Sequence, residues 1–253
     1  MLYYNYSNHC TMLNHLNEKD ILFIDIETVP GVPDLEGFSE ELQRLWDKKS
    51  SYFRKEDEAA KDVFQRAGIY AEFGKVICIS SGFIKDLDNR RLFRVKSVYG
   101  DDEKELLSEF AGMLAGLSGG TYKFLCAHNG KEFDYPYLAR RMLINGLDLP
   151  QFLDIAGKKP WESAHLLDTL ELWKFGEYKN FTSLDLLTNI FGIPTPKTDI
   201  DGSDVARVYW EEKDLKRIAE YCERDVLAVA QLFLKYKGLP LISEENVESV
   251  TVF

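Results

Sequence analysis

The 253-residue sequence lacks the features that mark several common classes of protein. It carries 31 lysines and arginines against 42 aspartates and glutamates, a net charge of -11, without a long basic tract. This balance argues against a protein that coats nucleic acid non-specifically. No apolar run approaches the roughly 20 residues of a membrane span. The first twenty residues have neither the basic start nor the apolar centre of a secretory signal, so we expect a cytoplasmic protein with no membrane partner.

Cysteine and histidine are few and scattered. The four cysteines form no C-x-x-C pair, and the four histidines have no zinc spacing. Three of the cysteines lie within apolar runs, which predicts buried free thiols in a reducing compartment. These three are Cys78, Cys126 and Cys222.

Apolar runs alternate along the chain with helical periodicities, which predicts an α/β domain with a mixed sheet flanked by helices. The first three strands are expected to form an antiparallel meander. Strands are expected at 21–27, 76–84, 92–99, 124–127 and 166–170. Helices are expected at 101–117, 134–144, 183–191 (capped by Thr182) and 211–236.

The boundaries of the domain follow from changes in composition. The charged stretch at 39–66 predicts two helices within an insert of about 31–74. We expect the folded domain to span residues 20–240. Residues 1–19 are then a loose N-terminal extension, and the acidic residues 241–253 are a C-terminal tail.

Two carboxylates interrupt the first predicted strand, in ILFIDIETVP. Asp25 and Glu27 are two residues apart, so their side chains project from the same face of the strand. They lie at its C-terminal end, where open α/β sheets usually bind ligands. Glu27 could equally mark the point where the strand reaches the surface. Asp25 is harder to explain in that way, because it stands between Ile24 and Ile26.

The last predicted helix carries a carboxylate within its buried stripe. Tyr221 and Asp225 are four residues apart and therefore neighbours on the helix surface. A buried carboxylate is costly unless it is paired or bound to a metal. A salt bridge to Arg224 or Arg140 is the alternative explanation. The stripe comprises Leu215, Ile218, Cys222, Val229, Phe233 and Tyr236.

A third group of polar residues lies in AHNGKEFDYPYL, between a short strand and a helix. Asp134 could be an ordinary helix N-cap, and Asn129 could be a turn residue. Phe133 could belong to the core, or it could be a surface against which a terminal base stacks.

Taken together, DIE, N-x-x-x-F-D and Y-C-x-x-D-V resemble the three exonuclease motifs of the DEDD superfamily of 3′–5′ exonucleases. The Y-x-x-x-D spacing is that of the tyrosine subgroup, and the resemblance is closest to the proofreading domain of family B DNA polymerases and its stand-alone predicted relatives. It spans about residues 21–237. His128 stands where family B polymerases usually have tyrosine.

The resemblance implies a ribonuclease H-like fold and a metal-dependent 3′–5′ exonuclease. The expected substrate is a single-stranded nucleic acid 3′ end, DNA in preference to RNA, and the products are nucleoside 5′-monophosphates. Two Mg²⁺ or Mn²⁺ ions would be held by four carboxylates, while Tyr221 would contact the attacking water. The implied metal ligands are Asp25, Glu27, Asp134 and Asp225, and the implied nucleic-acid contacts are Asn129 and Phe133.

Two other functions remain open at this stage. An RNA 3′-trimming nuclease could use the same site, since the sequence identifies no sensor of the 2′-hydroxyl. An inactive nucleic-acid-binding module is a second alternative, although all five catalytic positions are filled.

Overall fold

The computed structural model describes residues 12–88, 90–117, 122–177, 181–194 and 200–253. Within these residues a mixed six-stranded sheet forms the centre of the fold, in the order β5-β4-β1-β2-β3-β6. The strands are β1 (Ile21–Pro30), β2 (Gly74–Leu87), β3 (Arg90–Tyr99), β4 (Phe124–Ala127), β5 (Leu166–Asp168) and β6 (Val247–Ser249).

The directions of the strands confirm the expected ribonuclease H-like α/β arrangement. β1, β2 and β3 form an antiparallel meander. β4 pairs parallel to β1 and β5 parallel to β4, as crossover connections require, while β6 pairs parallel to β3.

Helices cover both faces of this sheet. They are α1 (Glu40–Ser50), α2 (Glu103–Leu117), α3 (Asp134–Ile144), α4 (Thr169–Lys174), α5 (Leu184–Ile190), α6 (Val205–Arg207) and α7 (Leu215–Tyr236). Successive side chains of β1 point to opposite faces of the sheet. Leu22 and Ile24 pack with α2 and α3, whereas Ile21 and Phe23 pack with α7. In the part of the chain described, no helix is both long and apolar enough to cross a bilayer.

The insert contains one helix rather than the two expected over 39–66. Only α1 is an α-helix; turns follow it, and then a 3₁₀ helix at Phe64–Ile69. These turns fold back around the fully buried Trp46, whose indole Nε1–H donates to the Ala60 carbonyl oxygen at 2.9 Å. The prediction was wrong here because tertiary packing on one aromatic ring outweighs the helical propensity of the charged residues.

Several element boundaries also differ from the predictions. α5 begins one residue later than expected, and Ser183 rather than Thr182 caps it by accepting from the Leu186 N–H at 3.2 Å. α7 begins at Leu215 rather than 211, because the left-handed backbone of Lys213 (φ 59°) separates it from a π-helical turn at Val208–Glu212. The fifth strand stops at Asp168, where α4 starts.

The predictions for the two chain termini have different outcomes. Residues 1–11 of the expected extension, with Cys10, lie outside the described residues, whereas Leu13 and Leu16 pack against the α7 face. Residues 241–253, expected as a tail, include strand β6. Glu223 of α7 holds this segment by accepting from Ser249 Oγ at 3.1 Å and from Thr251 Oγ1.

Candidate active site

The carboxylates of β1 lie on the face of the sheet that α7 covers. Asp25 and Glu27 point to the same side of β1 as Ile21 and Phe23, which lie earlier in the strand. Their side chains therefore point towards Cys222 of α7. The Cys222 thiol donates to Asp25 Oδ2 at 3.3 Å. Oxygen atoms of Asp25 and Glu27 and the Cys222 sulphur lie within 4.8 Å of one another. The first strand and the last helix thus converge on one small polar cluster.

Asp225 and Tyr221 approach this cluster from α7. They are one helical turn apart, and the tyrosine hydroxyl faces the Asp225 carboxylate, whose charge also acts on Asp25. Within the described residues, neither Arg224 nor Arg140 comes within ion-pairing distance of Asp225. A salt bridge therefore does not explain why a carboxylate occupies this stripe.

Asp134 enters the same cluster from the start of α3. Phe133, not Asp134, occupies the N-cap position, and it makes no side-chain capping bond. Asp134 is 3% exposed, and the backbone N–H groups of Asp134 itself and of Ile26 in β1 face its carboxylate. Its charge raises the pKa of both Asp25 and Glu27. A plain N-cap does not account for a carboxylate directed at the C-terminal end of β1.

Burial raises the pKa of all four carboxylates, and repulsion from neighbouring carboxylates adds to this effect. For Asp25 and Glu27 the pKa rises well above its usual range, mainly through desolvation and then through neighbouring carboxylates. Burial raises the pKa of Asp134 to about 7. The pKa of Asp225 rises to about 6 through burial, although the Tyr221 hydroxyl and the Arg224 charge partly oppose this.

This set of donors fits hard divalent cations. Oxygen atoms of Asp25 and Glu27 lie within 4.8 Å of one another, and the charges of Asp134 and Asp225 act on both residues. Among the described residues none of these four carboxylates forms an ion pair with a lysine or arginine. Mg²⁺ and Mn²⁺ prefer such oxygen ligands, and their charge would remove the repulsion that raises these pKa values.

Asp168 positions the loop between β4 and α3, and it was not recognised as a site residue from the sequence. Its buried carboxylate accepts from Asn129 N–H at 3.0 Å and from Lys131 N–H at 3.1 Å. It also caps α4, accepting from Leu170 N–H at 2.8 Å and from Glu171 N–H at 3.2 Å. The D-x-x-E pattern of 168–171 is a helix-start signal that could have identified it.

Asn129 and Phe133, the expected nucleic-acid contacts, occupy different environments. Asn129 has a left-handed backbone (φ 62°), which asparagine tolerates better than most residues, and it is partly exposed. The ring of Phe133 lies 5.3 Å from that of Tyr137 and packs against the core, leaving only part of it accessible. Contact of either residue with nucleic acid stays a prediction.

His128 acts as a link between three segments. Its Nε2 lies 3.0 Å from the Thr182 carbonyl oxygen, which can only accept, so Nε2 carries the proton. Its Nδ1 then accepts from the Thr169 hydroxyl at 2.9 Å. Burial lowers the pKa of His128, which favours this neutral form. The residue that departs from the usual tyrosine thus ties the Asn129 loop to α4 and to the segment before α5.

A cavity of about 570 Å³ adjoins Tyr221 and Asp225. It extends between α7 and the segment around α5, so it opens directly beside the carboxylate cluster. Polar and charged side chains form much of its lining, among them Ser183, Asp185, Thr188, Asp201, Arg224 and Gln231.

Two comparisons find proteins that are similar to this chain. A family model described as a predicted 3′-5′ exonuclease related to the exonuclease domain of PolB matches residues 69–248. Among solved structures, the family B DNA polymerase from the hyperthermophilic archaeon Pyrobaculum calidifontis is similar, with 16% identity and a TM-score of 0.46 over 85% of this chain. The chain spans 24% of the length of that polymerase. A search of curated proteins found no match.

Proposed function

The chain belongs to the family of predicted 3′–5′ exonucleases related to the exonuclease domain of PolB, and from this premise we propose its substrate and mechanism. The protein removes nucleotides from the 3′ end of single-stranded nucleic acid, with DNA favoured over RNA. Each cycle hydrolyses the terminal phosphodiester and releases a nucleoside 5′-monophosphate. The reaction uses two divalent cations, Mg²⁺ or Mn²⁺.

The observation that carries this proposal is the pair of carboxylates Asp25 and Glu27, on which the charges of Asp134 and Asp225 act and which have no ion-pairing partner among the described residues. Such a cluster is unfavourable in the folded protein, because burial and repulsion raise the pKa of each member. A purely structural site would compensate these charges with lysine or arginine, as Arg141 does for Glu103. Cation binding supplies the missing compensation and gives the cluster a chemical role.

Each carboxylate has a distinct place in the proposed site. Asp25, Glu27 and Asp225 would hold one cation, and Asp25 together with Asp134, the latter directly or through water, would hold a second. When bound, the cations stabilise the developing charge on the phosphate and assist ionisation of the attacking water. Cys222 holds the Asp25 carboxylate through its thiol, so this residue orients a ligand.

Tyr221 acts as a hydrogen-bonding group in this mechanism. Burial, followed by the charges of Asp225 and Glu27, raises its pKa above the ordinary value of 10. The phenol is therefore protonated at neutral pH and is unsuited to act as a general base. With its O–H directed at Asp225, its oxygen can accept a hydrogen bond from the attacking water and so orient it.

Degradation of 5′-labelled single strands tests the proposal. We expect stepwise shortening from the 3′ end with Mn²⁺ or Mg²⁺, and none in excess EDTA. A covalently closed circle of the same sequence should survive, since it offers no 3′ end. A matched RNA strand tests the preference for DNA, and faster digestion of the RNA would identify a 3′-trimming ribonuclease instead.

Two variants serve as controls for contaminating nucleases. Asp25→Asn keeps the size of a proposed ligand and should be inactive, whereas Asp148→Asn changes an exposed aspartate and should match the wild type. Digestion in EDTA would contradict the two-metal mechanism, and binding without digestion in any metal would identify a binding module.

A further inference from the structure

Arg224 stands at the junction of the cavity and the carboxylate cluster. It directly precedes Asp225 on α7, and its side chain lines the 570 Å³ cavity together with Tyr221 and Asp225. It is partly buried, so its guanidinium group has lost some of the water that would otherwise solvate it. A cation in this position borders the space that a substrate strand must enter to reach the cluster.

Among the described residues, no group accepts a hydrogen bond from this guanidinium. Its Nε is buried and has no hydrogen-bond partner, and no carboxylate among the described residues lies within ion-pairing distance. Arg91 also has a buried Nε without a partner, but its terminal nitrogens donate to Glu18 and to the Pro240 carbonyl oxygen. Arg224 differs because none of its guanidinium nitrogens has such a bond. Buried donors in native proteins are normally satisfied, so this group points to an external acceptor.

The chemistry of the acceptor follows from the shape of the group. The planar fork of arginine matches the paired oxygens of a phosphate better than any neutral acceptor. The cavity also carries Asp185, Asp201 and Asp225, which would repel an anion in the metal-free protein. Cations at the carboxylate cluster would reverse this field, so a phosphate could bind Arg224 only when the metal sites are filled.

Resting on the function proposed above, we infer that Arg224 is a substrate-positioning residue that binds a phosphodiester of the single strand. It donates to non-bridging oxygens of a phosphate near the 3′ end, and this contact seats the strand beside Tyr221 and Asp225.

A different role for Arg224 must be separated from this one. Its charge lowers the pKa of Asp225, so it could act only by keeping that carboxylate ionised. In that case its loss would weaken metal binding and leave the affinity for the strand at saturating metal unchanged. The two roles therefore predict losses in different measurements.

The test compares Arg224→Gln, Arg224→Lys and the control Arg140→Gln, which alters an exposed arginine of α3. Fluorescence anisotropy gives the Kd for a 5′-labelled single strand in saturating Ca²⁺, over a series of salt concentrations. For Arg224→Gln we expect binding about tenfold weaker. The slope of log binding constant against log salt concentration should become shallower by roughly 0.7, the value for one lost phosphate contact on a single strand. Arg224→Lys should restore the slope but not the full affinity, since it keeps the charge and loses the fork.

Strands with a single neutral methylphosphonate locate the contact. At the linkage that Arg224 binds, a methylphosphonate should weaken the binding of the wild type about tenfold and the binding of Arg224→Gln far less. The two losses are not additive because the arginine and the phosphate contact each other. Equal losses in both proteins at every linkage would overturn the inference. So would an unchanged Kd for Arg224→Gln, or a weakened Mn²⁺ affinity with unchanged strand affinity.

The outcome also separates this inference from the proposed function. If the wild type degrades strands and Arg224→Gln binds them equally well, only the role of Arg224 fails. If the wild type neither binds nor degrades a single strand, the proposed function fails first. If Arg224→Gln does not fold, Arg224→Lys and the methylphosphonate series on the wild type still test the inference. It is overturned if the wild type loses no affinity for a methylphosphonate at any linkage.

Discussion

Replacing Asp134 with asparagine should stabilise the metal-free protein at alkaline pH. The carboxylate is 3% exposed, faces Asp25 and Glu27, and has no cationic partner among the described residues. Asparagine keeps an oxygen that can face the Ile26 N–H, and it removes the charge. The substitution therefore isolates the electrostatic cost of burying the carboxylate of this proposed metal ligand.

The size and the pH range of the effect follow from the shift in pKa. Burial raises the pKa of Asp134 from 3.8 to about 7, so the folded state holds its proton more tightly than the unfolded chain. Stability from this group is therefore complete below about pH 4 and is lost as the pH rises towards 7. A shift of about three units corresponds to at most about 4 kcal/mol. Coupling to the other carboxylates reduces this, and we expect about 2 kcal/mol.

Thermal unfolding in EDTA measures the effect. At about pH 8, the Tm of Asp134→Asn should exceed that of the wild type by roughly 5 °C, from the usual 2–4 °C per kcal/mol for a chain of this length. At about pH 5 the difference should fall by more than half, because the folded wild type is then protonated. Saturating Mn²⁺ should reverse the order, since it stabilises the wild type by binding at this ligand.

Asp168→Asn is the matched control at a second buried aspartate. Asp168 accepts four backbone N–H groups, so an amide with a single acceptor oxygen should lower the Tm across the pH range. A lowered Tm for Asp134→Asn in EDTA at both pH values would refute the reasoning. It would show that Asp134 stabilises the fold and does not strain it.

Three further outcomes are expected. Asp25→Ala should abolish hydrolysis and leave the Tm in EDTA unchanged or raised, and activity within about tenfold of the wild type would remove it from the metal site. Tyr221→Phe should lower kcat by about 10²-fold and leave the affinities for metal and strand nearly unchanged. It should also lower the free energy of unfolding by about 1 kcal/mol. An unaltered single-turnover rate would show that Tyr221 has no catalytic role. Ca²⁺ should support strand binding without hydrolysis, because its coordination is longer and looser than that of Mg²⁺, and rapid cleavage in Ca²⁺ would contradict the requirement for strict geometry.

The sheet could be predicted because local patterns determine most of it. Buried strands such as β1 and β4 appear as short apolar runs, and the first three strands are close enough in sequence to pair as a meander. β6 could not be recognised, since it has three residues and an acidic composition. Its place beside β3 depends on side-chain bonds to Glu223, which is distant in sequence from β3.

Asp25 and Asp225 were recognisable because each interrupts an apolar pattern in the sequence. Asp25 lies between two isoleucines, and Asp225 follows the helical spacing of the apolar residues of α7, although its own side chain is half-buried. Asp168 escaped notice, and the role of His128 could not be assigned, because both residues support the site through contacts between distant segments. Residues of that kind follow no periodicity, so only the folded structure relates them to the cluster.

One turn of α7 shows how the sequence encodes several roles at once. Successive side chains on a helix differ by about 100°, so the four residues from Cys222 to Asp225 point in four directions. Cys222 contacts Asp25, and Glu223 binds β3 and the C-terminal segment. Arg224 lines the cavity, and Asp225 faces Tyr221. The hydrogen bonds of Glu223 fix the orientation of this helical turn about the axis of α7. In that orientation Asp225 points towards the carboxylate cluster and Arg224 towards the adjoining cavity.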